Sequence, residues 1–404
     1  MTQPQLVQAS PSAGGRKPHL PALDGLRGVA ILGVLFFHTG HLSGGFLGVD
    51  LFFALSGYLI TDLLLREVAT TGTLSLVAFW GRRIRRLTPA LMVMLAGVTL
   101  VVWTVASADV RRTTLSDGPW VQANLVNWHL LAESANYWDR FGPARVFEHL
   151  WSIAVEEQFY LVWPVVVLVV AKRGRWVNRR VALLAAVASA GSLVLMVALA
   201  DPSDPTRVYT GTDTRAFSLL LGAMVATQPV RNLLIRVAGR WAGVALGALA
   251  AGLGAMWLLV DGVNSPWLFE GGLFAHSLAA ALLVGLCAQA PRSVVAKALA
   301  WEPLRWLGLI SYSVYLWHWP ILALLSPRGA ANPGWATTAV VFALSIGLAT
   351  VSKYLVEDPI RFHARWARGR LGLLAFAVAT LALAALWLLV PAPAPVTIDI
   401  SDLG

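Results

Sequence analysis

Charge is what this sequence has least of. Only 13% of its 404 residues are Asp, Glu, Lys or Arg, where soluble domains carry roughly a quarter. A soluble chain so poor in charge would expose large apolar patches and aggregate. There is a single cysteine, Cys287, so an internal disulfide and a cysteine-built metal centre are both excluded. Its apolar surroundings fit a small buried hydrophobe better than a nucleophile. The chain has no phosphate-cradling glycine loop ending in Lys-Ser/Thr and no His-x-x-x-His spacing, and no metal is expected. No internal repeat is visible, which weakens an inverted-repeat transporter reading. No short apolar stretch followed by a small-residue cleavage site opens the chain, so a removable signal peptide is not expected.

What remains is apolar. Hydrophobic residues make up 57% of the chain, with 18 tryptophans among them, and the mean hydropathy is +0.67. The fold class this implies is an all-α polytopic membrane protein. Apolar runs of spanning length, about 20 residues, fall near 26–42, 45–65, 88–108, 151–171, 181–200, 214–228, 241–260, 270–290, 306–326, 335–356 and 371–390. The first, fourth and sixth are interrupted by polar residues or short. Residues 1–18, rich in Ser, Pro, Gly and Gln, read as a disordered cytoplasmic arm. Residues 391–404 read as a short extracytoplasmic tail with no further domain.

The net charge of +10 has a topological reading before any nucleic-acid one, and no nucleic-acid partner is expected. Of the 31 Lys and Arg, 23 fall in one alternating set of loops and 7 in the other, with Lys353 left over. The basic set belongs in the cytoplasm, which puts the N-terminus inside and, after eleven crossings, the C-terminus outside. The one long external loop, 109–150, holds Trp120, Trp128, His129 and Trp138. It could be a lid, an acceptor platform or a re-entrant segment.

Ionisable groups inside a bilayer are costly and point to function. His38 lies eleven residues after Arg27, about 16 Å along a helix. One helix thus sets a cation at the inner surface and an imidazole in the outer half. His38 could also be a histidine tied to a nearby carbonyl. Asp50, on the returning second span, is expected at similar depth, either orienting the imidazole or bracing two helices. Gly45, Gly48 and Gly57 would permit the close approach. His149, Ser152 and Glu156 share one helix face, with Glu157 about 100° away. Ser311, Tyr315 and His318 share another, and Pro320 should kink that helix. Arg82, Arg83, Arg85 and Arg86 crowd the inner side before Pro89. They suit topology or anionic lipid, and equally a phosphorylated cytosolic ligand.

These residues sit in stretches that resemble the acyltransferase-3 family of membrane O-acyltransferases. The stretches are Leu23-Asp-Gly-Leu-Arg27 with His38, Gly45-Phe-Leu-Gly-Val-Asp50, Arg83-Ile-Arg85-Arg86-Leu-Thr-Pro89, His149-Leu-Trp-Ser-Ile-Ala-Val-Glu156-Glu157 and Ser311-Tyr-Ser-Val-Tyr315-Leu-Trp-His318-Trp-Pro. The resemblance implies ten core spans over 19–362, with an added C-terminal span over 363–390. It implies acyl-CoA, in the acetyl form, as co-substrate. The acceptor would be a sugar hydroxyl of an envelope glycan or glycolipid at a bacterial plasma membrane. Arg27, Arg82, Arg83 and Arg86 become candidates for the CoA phosphates, and His38, Asp50, Glu156 and Glu157 for catalysis. His149, Ser152, Tyr315 and His318 become substrate or structural residues.

In the mechanism this suggests, His38 acts as general base with Asp50 fixing its tautomer, and Ser152 or Tyr315 serves the oxyanion. A variant makes His38 the nucleophile of a transient acyl-histidine. A separate external protein could also receive the acyl group. Two rivals stand beside this: a proton-coupled transporter, and an acyltransferase with a cytosolic acceptor such as a macrolide.

Overall fold

The computed structural model describes residues 20–138, 145–262, 264–326 and 334–391. The expected disordered arm 1–18 and nearly all of the expected tail lie outside the described residues. Every regular element among the described residues is helical. The first six are α1 (Pro21–His38), α2 (Gly48–Thr71), α3 (Leu76–Val105), α4 (Ala108–Gln122), α5 (Val126–Ala132) and α6 (Trp151–Lys172). Next come α7 (Val177–Ala198), α8 (Thr206–Thr210), α9 (Thr212–Val225), α10 (Gln228–Ala238) and α11 (Ala242–Leu259). The last five are α12 (Gly272–Gln289), α13 (Val294–Leu299), α14 (Glu302–Leu325), α15 (Trp335–Val351) and α16 (Gly369–Leu389). Two π-helical segments, Ser352–Glu357 and Pro359–His363, extend α15.

Ten helical segments among the described residues are long and apolar enough to cross a membrane. The sequence suggested eleven; the difference is α9. Its 14 residues span about 21 Å, short of the roughly 30 Å hydrocarbon core. It still crosses. Tyr209, just before α9, lies 5.8 Å ring to ring from Phe46 at the start of α2. Arg231, just after α9, pairs with Asp62 near the far end of α2. The chain therefore covers between Tyr209 and Arg231 the depth that α2 covers between Phe46 and Asp62. Extended backbone at Gly211 breaks this span into α8 and α9. Such a break is tolerated at membrane depth only where protein surrounds it, and α9 packs between α2, α7 and α12.

Glycine makes those contacts possible. A Cβ on Gly57 would lie 1.8 Å from the Leu219 carbonyl oxygen of α9, and one on Gly222 would lie 2.1 Å from that of Ala54. With no driving force between helices beyond packing and polar bonds, such small-residue seams hold a membrane bundle together. The helix faces away from these seams carry exposed apolar residues, among them Leu183, Val187 and Val194 on α7 and Leu371, Leu374 and Leu381 on α16. Lipid is the solvent that suits them.

The described part of the loop expected outside is largely helical, as α4 and α5. The α4 helix packs on α3 and α16, where the Trp387 indole donates to Gln122 at 2.9 Å. The stretch ending at Trp138 closes over the bundle through rings. Trp138 meets Tyr209 at 5.0 Å and Phe46 at 5.5 Å, and Tyr137 meets Trp151 at 6.0 Å.

Candidate active site

At the end of α1 that carries Arg27, two guanidiniums of α3 come in. Arg83 and Arg86 stand at i and i+3, on one face. Arg83 lies 4.5 Å from the Tyr160 ring, a cation–π contact. Arg86 is in electrostatic range of Arg27 and Arg83. Arg82 faces elsewhere: it is exposed and pairs with Glu67 at 3.1 Å. The expectation that Arg82 joins this group is corrected, because its position on α3 turns it to the surface.

A cavity lies beside Arg27, between α1, α2, α6 and α14. Its lining includes Arg27, Ser56, Ser152, Glu156, Ser311 and Tyr315. Glu156 accepts hydrogen bonds from Ser56 and Tyr160, so its carboxylate is held against the wall. Glu157, on the next helix face, is in range of Arg83 and Arg86. Sequence reasoning grouped the two acids; the structure gives one to the cavity and the other to the arginines.

At the far end Ser152 and Tyr315 meet. The Tyr315 hydroxyl donates to the His149 carbonyl at 2.8 Å and lies 2.6 Å from Ser152 Oγ. The rings of His149 and Tyr315 are 5.4 Å apart, as are those of His149 and His318. Three histidines from α1, the start of α6 and α14 therefore gather at one place.

Their hydrogen bonds assign the tautomers. His318 Nδ1 lies 2.7 Å from the Tyr315 carbonyl oxygen, which can only accept, so Nδ1 carries the hydrogen. In the neutral ring, His318 Nε2 then accepts, and its partner at 3.0 Å is His38 Nδ1. His38 Nδ1 is thus the protonated nitrogen, and Nε2 holds a free lone pair. The Tyr137 hydroxyl donates toward that lone pair at 3.4 Å. Burial, with Tyr315 and Glu148 nearby, pushes the Tyr137 hydroxyl well above the usual phenol range, so it keeps its proton at neutral pH. His38 remains partly exposed while His149 and His318 are buried. The site opens at His38 Nε2.

Asp50 has no part in this. It accepts from Arg215 at 2.8 Å, Ser218 at 2.9 Å and Ser277 at 2.8 Å, all buried. The expectation that Asp50 orients His38 is corrected: α2 turns the carboxylate toward α9 and α12, and His318 occupies the orienting position.

The outer wall of the site is the indole of Trp319, 4.7 Å from the His38 ring. Trp319 donates to the carbonyl of Arg145 at 2.9 Å. The Arg145 side chain reaches Asp117 at 2.6 Å and Glu133 at 2.5 Å, tying α4 and α5 to this wall. Burial would raise Glu133, but Arg145, His129 and Ser116 together hold its carboxyl below the usual range. Asp117, His129 and Glu133 offer atoms within 4.8 Å of one another, enough for a metal by spacing. The guanidinium of Arg145 already bridges the two acids.

Tyr137, Tyr160, Ser56 and Trp319 were not assigned roles from sequence. Only ring stacking and hydrogen bonding in the folded chain bring them forward.

The arrangement defines a polytopic membrane protein with a cavity lined by Arg27 and Tyr315, further arginines near Arg27 and a histidine cluster against Tyr315. Its family follows from comparison: the acyltransferase domain model matches residues 20–354, and the chain belongs to the acyltransferase-3 family. The chain is 38% identical over 355 residues to YrhL of Bacillus subtilis, covering 85% of this chain and 55% of that one. It is 36% identical over 355 residues to the peptidoglycan O-acetyltransferase OatA of Listeria monocytogenes, with 85% and 56% covered. It is 34% identical over 353 residues to the O-acetyltransferase OatA of Staphylococcus aureus, with 85% and 57% covered. The chain thus spans little more than half the length of these relatives. No solved structure matches it.

Proposed function

We propose that this protein moves an acetyl group from cytosolic acetyl-CoA to a sugar hydroxyl of a cell-envelope glycan, peptidoglycan being the first candidate. The observation that carries the reading is the partly exposed His38, bonded to His318 beside Tyr315, with Tyr315 and Arg27 lining one cavity and Arg83 and Arg86 in electrostatic range of Arg27 or of each other. The charge bias of the loops supports a reading with the arginines inside and His38 toward the outside. The names of the two OatA relatives supply the acetyl group and the glycan.

The arginines hold the phosphates of the donor, and its pantetheine arm follows the cavity. The acceptor hydroxyl takes the position that Tyr137 now fills and gives its proton to His38 Nε2. Its oxygen bonds to the thioester carbonyl carbon, with Ser152 and Tyr315 at hand for the oxyanion. The carbon–sulfur bond then breaks, and His38 returns the proton to the thiolate, releasing CoA. His318 keeps the imidazole in the tautomer this needs.

The test uses membranes carrying the wild type or His38→Ala, given acetyl-CoA labelled in the acetyl group. Label should pass to an external glycan fraction with release of CoA. His38→Ala should cut transfer roughly 10²- to 10⁴-fold at equal membrane content. Normal transfer by the variant sinks the mechanism. No CoA release from acetyl-, succinyl- or longer acyl-CoA would favour proton-coupled transport instead.

A further inference from the structure

The match to the family ends at residue 354, and the helix type changes across that point. Ser352–Glu357 and Pro359–His363 are π-helical, and both pack against α3, the helix that carries Arg83 and Arg86. Short π-helical turns interrupt a regular helix at a cost and recur at functional sites. This one is fastened: Glu357 accepts from Ser313 of α14, and Lys353 pairs with Asp358. The two acids nearest Arg361 in sequence are thereby engaged.

Arg361 is in electrostatic range of Arg27 and Arg83, and Arg86 is in range of all three. The acids facing this group are Glu357, Asp358 and Glu157. Among the described residues, none of the four arginines forms a salt bridge, whereas Arg82, Arg231 and Arg305 close by in sequence or depth all do. The Arg27 Nε is buried without a hydrogen-bond partner. Four guanidiniums with three carboxylates in range but none in salt-bridge contact keep a mutual repulsion that an anion of several charges would relieve. Guanidinium forks suit phosphate oxygens above other anions.

We propose that Arg361 is a further donor-binding residue, which completes with Arg27, Arg83 and Arg86 a seat for the phosphate-bearing nucleotide end of coenzyme A. This rests on the acyl-CoA reading above and extends it to a residue outside the matched family region. Arg361 holds the donor and takes no part in the chemistry, so its removal raises KM and leaves kcat.

The experiment uses the full chain in lipid nanodiscs, as wild type, Arg361→Gln, Arg361→Lys and Arg370→Gln. Arg370 is an exposed cation on the same side and controls for general charge. Two donors are compared: acetyl-CoA, and S-acetylpantetheine, which has no nucleotide or phosphate. Binding of adenosine 3′,5′-bisphosphate is measured by calorimetry. Arg361→Gln should raise KM for acetyl-CoA about tenfold and weaken bisphosphate binding by the same factor. Its kinetics with S-acetylpantetheine should match the wild type. Arg361→Lys should recover part of the loss, and Arg370→Gln should behave as wild type. Unchanged KM and binding in Arg361→Gln overturns the proposal alone. An equal loss with both donors also overturns it, since Arg361 would then only brace the helix. A wild type that binds neither acetyl-CoA nor the bisphosphate removes the proposal together with the acyl-CoA reading.

Discussion

Two buried polar clusters lie in this bundle, and they behave differently. Around Asp50, one carboxylate meets Arg215, Ser218 and Ser277, and all four side chains are inaccessible. Around His38, three imidazoles meet Tyr315, Tyr137 and Trp319, and the cluster opens at His38 Nε2. The first cluster pairs opposite charges out of reach of solvent, with Asp50 Oδ2 and Arg215 Nε and Nη1 buried without a hydrogen-bond partner. The second leaves a proton acceptor partly exposed, with the Tyr137 hydroxyl 3.4 Å away as its partner. A buried ionisable residue therefore does not mark a catalytic site by itself. What marks one is a group that the surrounding bonds orient and that is still accessible, as His38 is and Asp50 is not.

The largest effect that would sharpen this contrast is on stability. Asp50→Ala leaves the Arg215 guanidinium buried without its partner, which typically costs 3–5 kcal/mol. Thermal unfolding in detergent should show that loss, and folded yield should fall with it. Replacing both partners by apolar residues, as Asp50→Leu with Arg215→Met, should recover much of it, because the uncompensated charge is gone. If Asp50→Ala keeps full stability and loses only turnover, the division between the two clusters is wrong.

The next effect is on rate. His318→Ala removes the acceptor that holds the hydrogen on His38 Nδ1, so Nε2 spends less time as a base. Loss of such a supporting hydrogen bond costs roughly 10- to 100-fold by analogy with imidazoles held in metal sites. The loss should fall on kcat with KM for acetyl-CoA unchanged, and unfolding temperature should move less than in Asp50→Ala. A rise in KM without loss of kcat would place His318 in donor binding instead.

Much of this was legible in the sequence. The long helices follow from hydropathy alone, and helix periodicity set Ser152 with Glu156 on one face and Tyr315 with His318 on another; that the two faces meet beside Arg27 came from the fold. Asp50 was misplaced for a definite reason. Sequence gives depth along a helix, and depth put Asp50 level with His38. It does not give the rotation of one helix against another, and rotation sends Asp50 to α9. The α9 break was hidden because protein surrounds it, so its polar residues carry no lipid penalty. Tyr137 lay in a loop with no periodicity to mark it. Arg361 looked like any other positive charge at the inner face.

The smallest effect tests that same point about rotation at the other end of the molecule. Arg82 and Arg83 are neighbours in sequence and would be equal as topological charges. In the structure Arg82 is exposed and paired with Glu67, while Arg83 stacks on Tyr160 beside Glu156. An exposed pair of this kind contributes about 0–1 kcal/mol, so Arg82→Gln should change stability and KM for acetyl-CoA very little. Arg83→Gln should raise that KM about tenfold, the loss expected of one charge-assisted bond to phosphate. Measuring both variants side by side separates a cation that serves the donor from one that serves only the surface. Equal effects would mean that net charge at the inner face, and not the direction each side chain takes from α3, governs binding.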